Sequence, residues 1–265
     1  MPEIAECRRY VDQLNNEYQG KRLLRCTIVG GRFAREGIPG LIQLQHDLPL
    51  KLVKFDTKGK FIYATLERNI HLFITLGMAA SFGKANKHSA VKFEFENGEV
   101  FYNDIRHFGT IKIVHSNAEL LMKLKTLGWD ALKEPVVPAN MPAAFRKSNR
   151  PVAEFLLNQK VFAGVGNYIR AEALYRSKIM PFRGASSLSD LEIDILCNNI
   201  ISIAKEAYDA GGATIATYSD MYGIAGTYFQ NFQVYGKKED PLGNPVLKYT
   251  DGDGRTVHWV KEVQV

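Results

Sequence analysis

Residues 155–181 read FLLNQKVFAGVGNYIRAEALYRSKIMP, a pattern that predicts a helix, a tight glycine turn and a second helix. Gly164 and Gly166 flank the turn, and Asn167 stands at the start of the second helix. Unpaired backbone N–H groups at a helix N-terminus favour a phosphate oxygen. Lys160 and the side-chain amide of Asn167 are therefore predicted to bind a phosphate. The alternative is a helical hairpin whose glycines serve only close packing.

The sequence around this stretch continues the helical pattern. Helices are predicted for residues 151–158, 168–178 and 189–210, with the last stopped by Gly211 and Gly212. From Thr227 the pattern becomes β-like, with turns at 240–244 and 251–254. We expect a β-hairpin appended to a helical domain.

The first half of the chain is rich in strand patterns. A helix is predicted from Ala5 to Tyr18, ended by Gly20. Residues 49–67 hold two β-rich runs around a predicted turn at 56–59, and residues 90–104 hold two more around Asn97-Gly98.

The change of pattern suggests two domains of an α+β protein. Residues 135–149 are proline-bearing and are interpreted as a linker. The predicted domains are an N-terminal helix with a β-sandwich over 1–134, and a helical domain over 150–265. The terminal hairpin of the second domain spans about 227–265.

Composition narrows the class of protein. The chain has 265 residues, a net charge of +6, 46% hydrophobic residues and three widely spaced cysteines. The cysteines form no CxxC pair, which argues against a cysteine-rich zinc site and a disulfide framework. No apolar run reaches the roughly 18 residues of a membrane helix, and MPEIAECRRY has no signal-peptide pattern. A soluble intracellular protein that attracts polyanions is expected.

The N-terminus carries a possible nucleophile. Removal of Met1 would leave Pro2 with a secondary amine whose pKa is about 8, well below that of lysine. Such an amine can attack a sugar carbon and form an iminium, and Glu3 beside it can move protons. Retention of Met1 would block this nucleophile. Alternatively, Met-Pro-Glu is an ordinary start of a chain.

Three motifs in this order resemble the formamidopyrimidine-DNA glycosylase and endonuclease VIII family. They are the start MPE…E, the DxRxFG strand end at Asp104–Gly109, and the GVGNYxxxEAL helix–turn–helix. The resemblance extends over nearly the whole chain.

The resemblance implies roles for individual residues. Pro2 is expected as the nucleophile, Glu3 as the general acid and base, and Glu6 as a residue that holds the opened sugar. Lys60 is expected to contact a phosphate beside the lesion. A second group is expected to contact DNA: Met78, Arg106 and Phe108 filling the gap left by an everted nucleotide, with His107, Lys160, Asn167 and Arg255 near phosphates.

The sequence departs from the family pattern at three places. Ile4 and Ala5 stand where an apolar or glycine residue followed by proline is usual, and His107 replaces a common arginine. The tail at 234–264 lacks the cysteines of the family's zinc finger and resembles its zincless-finger branch, with Arg255 at the position of the finger arginine. No metal is expected, because His258 alone cannot make a zinc site.

The sequence thus predicts a bifunctional DNA glycosylase and abasic-site lyase of base excision repair. It is expected to act as a monomer, without cofactor, on double-stranded DNA that carries an oxidised base or an abasic site. Oxidised pyrimidines are the favoured lesions, and 8-oxoguanine and formamidopyrimidine are the alternative within the class. Two alternatives do not belong to the glycosylase and lyase class: a non-catalytic damaged-DNA-binding paralogue and an unrelated basic enzyme.

Overall fold

The computed structural model describes residues 2–215 and 218–265. The chain forms two compact units, Met1–Thr126 with Gly211–Gly226, and Leu127–Ala210 with Thr227–Val265. The domain limits read from the sequence, with a linker at 135–149, stay a prediction. In the structure that stretch contains a helix, α5 (Met141–Arg146), which belongs to the second unit.

Helix α1 (Ile4–Tyr18) opens the first unit and confirms the helix predicted there. Glu3 lies at its N-cap with an extended backbone, and the Glu3 N–H donates to the carboxylate of Glu6. The apolar face of α1 buries Tyr10 and Leu14. The helix ends where Gly20 adopts a left-handed conformation, with φ of 81°.

The described strands of the first unit form an eight-stranded antiparallel sheet. They are β1 (Arg22–Ile28), β2 (Leu50–Lys58), β3 (Phe61–Leu66), β4 (Ile70–Thr75), β5 (Ala80–Gly83), β6 (Ser89–Phe95), β7 (Gly98–Asp104) and β8 (Thr110–Val114), in the order β5-β7-β6-β1-β2-β3-β4-β8. Strand β1 pairs with both β6 and β2. Side chains from both halves, such as Phe93 and Leu72, share one buried core with α1. The predicted α+β fold with an N-terminal β-sandwich is confirmed.

Short helices complete the first unit. They are α2 (Phe33–Glu36), α3 (Leu41–Asp47) and α4 (Asn117–Lys125). The hydroxyl of Ser116 caps α4 by accepting a hydrogen bond from the N–H of Ala118.

The hairpin turn predicted at 56–59 is wrong by two residues. Strand β2 continues through Lys58, and the turn consists of Gly59 and Lys60. The Thr57 hydroxyl donates to the carbonyls of Gly59 and Phe61 at 2.9 and 3.0 Å, which fixes the turn later in the chain. Gly59 supplies the positive φ, 59°, that this turn requires.

The second unit is mainly helical. Its elements are α5 (Met141–Arg146), α6 (Val152–Phe155), α7 (Asn167–Arg176), α8 (Asp190–Asp209), β9 (Leu247–Thr250) and β10 (Thr256–Trp259). Helix α7 packs against both α8 and β10. A capping box between Ser189 and Glu192 begins α8. Within the described residues, no helix is both long and apolar enough to cross a membrane.

Two predictions for this unit need correction. The helix expected over 151–158 is shorter than predicted. It is the single turn α6, which follows Pro151 and is itself followed by non-helical turns. The β-like pattern expected from Thr227 starts with a 3₁₀ helix at Tyr228–Asn231, where aromatic side chains pack on Tyr168. The predicted terminal hairpin is present, since β9 and β10 pair antiparallel.

Candidate functional site

The N-terminus of α1 brings two carboxylates beside Pro2. Pro2 is buried, and Glu3 and Glu6 are 2% and 1% exposed. One oxygen of Glu6 accepts from the N–H of Glu3 and the other from the N–H of Ala213, both at 2.7 Å. Glu6 therefore fixes the backbone immediately after Pro2. Ile4 and Ala5, which depart from the family pattern, are buried in the same turn.

Residues 218–226 lie along α1. The Tyr10 hydroxyl donates to the Ser219 carbonyl, and burial raises the pKa of Tyr10. Gln13 donates to Asp220 at 2.7 Å and accepts from the N–H of Met221 at 3.0 Å. Ala216 and Thr217, which precede this segment in the chain, lie outside the described residues.

Met78 and the 106–108 loop lie side by side. A Cβ built on Gly77 would come within 2.7 Å of the Phe108 carbonyl carbon, so the two loops are in backbone contact. Met78 and Phe108 are 42% and 55% exposed, and the Arg106 guanidinium lies 5.1 Å from the centre of the Phe108 ring. An arginine over an aromatic face is a cation–π pair. The structure thus groups the three residues predicted to enter DNA.

Asp104 shapes this loop. Its Oδ1 accepts from the N–H groups of Arg106 and His107 at 3.2 and 3.0 Å, and its Oδ2 accepts from that of Gly109 at 2.9 Å. His107 takes a left-handed conformation, with φ of 59°. The loop therefore holds Arg106, His107 and Phe108 exposed on a fixed backbone.

Lys60 occupies the second position of the β2–β3 turn and is partly buried. The buried carboxylate of Asp56 accepts from the Tyr63 hydroxyl at 3.1 Å near this turn. The predicted phosphate contact of Lys60 stays a prediction.

The side chain of Gln159 stabilises the glycine turn before α7. The side chain of Gln159 accepts from the N–H of Gly164 at 2.9 Å and donates to the carbonyl of Val165 at 3.0 Å. Asn167 begins α7 and is partly exposed, and Lys160 is exposed. Gln159 was missed in the sequence, although its place between the first helix and the glycines was a signal.

Arg255 is exposed at the turn between β9 and β10. Its N–H donates to Asp251 Oδ1 at 2.8 Å, and its carbonyl accepts from the N–H of Asp251 at 2.9 Å. Among the described residues no group of three or more His, Cys, Asp or Glu side chains is placed to hold a metal ion.

Two buried charged residues of α7 were not singled out in the sequence. Glu172 accepts from the N–H groups of residues 233, 234 and 235 at 2.7 to 3.0 Å. Desolvation raises the pKa of Glu172 despite these hydrogen bonds. Arg170, which is 0% exposed, pairs with Asp251 at 2.7 Å. Their partners lie far along the chain, so the EAL motif gave little indication of these contacts.

Known proteins match the chain over both units. Residues 1–111 match the family described as Formamidopyrimidine-DNA glycosylase N-terminal domain, and residues 127–219 match Formamidopyrimidine-DNA glycosylase H2TH domain. The chain is 35% identical over 279 residues to a formamidopyrimidine-DNA glycosylase of Bacillus cereus, covering 98% of this chain and 97% of the relative. It is 30% identical over 288 residues to that of Cytobacillus firmus, covering 100% of both.

Solved structures agree with these matches. The crystal structure of the MutM (Fpg) protein from Thermus thermophilus aligns with a TM-score of 0.89 and 27% identity, covering 99% of this chain and 98% of that one. A Lactococcus lactis Fpg mutant in complex with DNA containing Fapy-dG aligns with a TM-score of 0.89 and 25% identity, covering 99% of both chains. The chain belongs to the formamidopyrimidine-DNA glycosylase family, DNA repair enzymes that combine DNA glycosylase and abasic-site lyase activities.

Proposed function

We propose that the protein excises oxidised bases from duplex DNA with the Pro2 amine as nucleophile, once Met1 has been removed. The observation that carries this proposal is the hydrogen bonding of Glu6, which holds the Glu3 N–H beside Pro2. A nucleophile on a fixed backbone loses little orientational freedom in reaching its transition state.

The reaction needs groups that this terminus supplies. The Pro2 nitrogen forms a bond to C1′ as the glycosidic bond breaks and the base leaves. Opening of the sugar ring and loss of the amine proton give an iminium. Glu3, 2% exposed, gives and takes protons at the ring oxygen and at C2′. Loss of the C2′ proton expels the 3′ phosphate and nicks the strand, and the 5′ phosphate follows in a second elimination. No metal or organic cofactor enters these steps.

The DNA contacts follow from charge and exposure. Met78 and Phe108 would fill the space of the everted nucleotide, and Arg106 would pair with the orphan base. The phosphate contacts are assigned to cations and polar side chains, namely Lys60, His107, Lys160, Asn167 and Arg255. Glu6 would hold the opened sugar indirectly, by fixing the backbone around Pro2.

Formamidopyrimidine purine lesions are the proposed substrates. The relatives bear that name, and one aligned structure is a complex with Fapy-dG-containing DNA. Residues 218–226 rest on α1 with Tyr222 and Ile224 50% and 64% exposed, so this segment offers apolar contacts to an everted base. Oxidised pyrimidines are the second candidate, favoured by the cysteine-free hairpin that resembles the zincless-finger branch.

Borohydride trapping tests this proposal. The protein is mixed with duplex DNA carrying an abasic site, and borohydride is added to reduce the iminium to a stable amine. We expect a covalent protein–DNA adduct that is lost in Pro2→Gly with Met1 retained. An absence of adduct with correctly processed wild type would contradict the proposal. A panel of formamidopyrimidine, 8-oxoguanine, thymine glycol and dihydrouracil duplexes then ranks the lesions.

A further inference from the structure

Two turns of the terminal hairpin share one hydrogen-bonding pattern around an aspartate. They are Asp240–Asn244 and Asp251–Arg255, here called the carboxylate knuckles. In each, the aspartate N–H donates to the carbonyl four residues on at 2.9 Å, and a glycine N–H, from Gly243 or Gly254, donates back to the aspartate carbonyl. Oδ1 of each aspartate accepts from the N–H groups two and four residues later, at 2.8 to 3.1 Å.

Helix α7 anchors each knuckle by one side chain. The Tyr175 hydroxyl donates to Asp240 Oδ2 at 2.9 Å, and Arg170 Nη1 donates to Asp251 Oδ2 at 2.7 Å. Desolvation acts to raise the pKa of Asp251, but the hydrogen bonds from Arg170 and the Arg255 N–H outweigh it and hold that pKa below its ordinary value. The two anchors are alike in geometry and differ in what else they contact.

Arg170 reaches beyond its knuckle. Its Nη2 donates to Asn167 Oδ1 at 3.3 Å and to the carbonyl of Thr256 at 3.1 Å, and its Nη1 also donates to the carbonyl of Ala153 at 3.3 Å. Thr256 follows Arg255 directly. One buried guanidinium therefore contacts the Asn167 side chain, the Asp251 carboxylate at the start of the Arg255 turn and the backbone carbonyl of Thr256 after it. The planar fork of arginine makes such simultaneous contacts possible.

We propose that Arg170 is a positioning residue that holds Asn167 and Arg255 as one unit for binding a DNA phosphodiester. This inference rests on the proposed function, because that function assigns phosphate contacts to Asn167 and Arg255. Arg170 is 0% exposed, so it acts through those residues and not by touching DNA.

The test must separate positioning from folding. Arg170→Met alone leaves the buried Asp251 carboxylate unpaired, which destabilises the fold. The double variant Arg170→Met with Asp251→Asn removes that charge, and the asparagine oxygen still accepts from the knuckle N–H groups. Tyr175→Phe is the matched control, since it removes the anchor of the other knuckle and leaves Asn167 and Thr256 held.

Affinity is measured for a duplex with a tetrahydrofuran abasic-site analogue across a range of salt concentrations. We expect the double variant to fold with a near-wild-type Tm and to bind about tenfold more weakly. The slope of log Kd against log salt should fall by about one, the value for one lost phosphate contact. Tyr175→Phe should bind within about twofold of wild type. In an Arg255→Ala background, the double variant should cause much less additional loss.

A double variant with wild-type affinity and salt slope would overturn the inference. So would an equal loss in Tyr175→Phe, because the effect would then be one of general hairpin stability. The proposed function is judged separately on wild-type protein. Failure of wild type to trap on abasic DNA with borohydride refutes that function, whereas normal trapping with unaffected binding by the double variant refutes the role of Arg170 alone.

Discussion

The buried carboxylate of Glu6 accepts a 2.7 Å hydrogen bond from the backbone N–H of Ala213, a residue 207 positions further along the chain. The second oxygen of Glu6 accepts from the Glu3 N–H. A single side chain thus joins the start of the chain to the segment that returns to the first unit after α8. The position of Pro2 depends on this junction.

Glu6→Gln should disturb that junction. The new amide N–H₂ would face one of two backbone donors, leaving a buried N–H unpaired at a cost of about 1–3 kcal/mol. We expect a lower Tm together with slower trapping at saturating DNA. Glu17→Gln is the control, because Glu17 accepts from the Tyr222 hydroxyl at an exposed place and glutamine keeps that acceptor. Equal trapping rates for Glu6→Gln and wild type would contradict this role.

Phe108→Ala should reduce base excision without reducing stability. Phe108 is 55% exposed, and substitutions at such positions change the free energy of unfolding by about 0.5 kcal/mol or less. Loss of the aromatic wedge should lower single-turnover excision from duplex DNA about tenfold, which corresponds to about 1.4 kcal/mol and lies within the roughly 1–3 kcal/mol of a lost base stack. Ile42→Ala, which truncates a 75% exposed side chain on α3, should leave excision unchanged. If Phe108→Ala excises the base as fast as the Ile42→Ala control, Phe108 does not contact DNA in the way proposed.

The Arg176–Glu206 pair predicts a pH dependence of stability. Arg176 Nη1 and Nη2 donate to the Glu206 carboxylate at 2.7 and 2.8 Å, and this hydrogen bonding is the main reason that the pKa of Glu206 falls from 4.5 to about 2. Because the pKa of Glu206 is lower in the folded than in the unfolded protein, its ionised carboxylate stabilises the fold at pH values above the unfolded pKa. This stabilisation is lost as the pH falls through the folded pKa. The contribution should therefore be complete at pH 6 and decline between about 4.5 and 2.

Comparison of Glu206→Gln with wild type isolates this effect. At pH 6 the variant should unfold with a free energy lower by about 1 kcal/mol, a figure reduced for the solvent screening of a partly exposed pair. Near pH 2 the difference should vanish. A difference that is constant with pH in urea denaturation would show that the ion pair is not its source.

The terminal hairpin should not depend on a metal. Asp240 already accepts four hydrogen bonds, including those from Asn244 Nδ2 and Tyr175, and Asp251 Oδ2 is paired with Arg170. We expect 1,10-phenanthroline and EDTA to leave both the Tm and strand cleavage unchanged. A loss of activity restored by zinc would contradict a hairpin held by carboxylates.

The sequence predicted elements whose signals are local. The β6–β7 hairpin and the glycine turn before Asn167 follow from short-range chemistry, and the structure contains both, although the hairpin turns at Glu96-Asn97, one residue before the predicted Asn97-Gly98. The β2–β3 turn moved by two residues because the Thr57 hydroxyl bonds to carbonyls beyond it, a contact that a composition-based turn rule ignores.

Long-range polar contacts could not be read in the same way. The partners Arg170 and Asp251 are 81 residues apart, and an arginine on a helix is ordinarily exposed. The repeated Asp-x-x-Gly spacing at 240 and 251 was visible as two turns, but their anchoring to α7 required the fold. The family resemblance identified Asn167 and Arg255 as phosphate contacts, whereas Arg170, which contacts Asn167 and the Arg255 turn, came from the structure.

The identity of the trapped residue decides whether Pro2 is the nucleophile. After borohydride trapping on abasic DNA, the adduct is digested with nuclease and trypsin and mapped by mass spectrometry. If Pro2 is the nucleophile, the sugar remnant lies on the α-nitrogen of the peptide PEIAECR, residues 2–8, with Met1 absent. A remnant on a lysine side chain such as Lys60, with the amine of Pro2 unmodified, would contradict it.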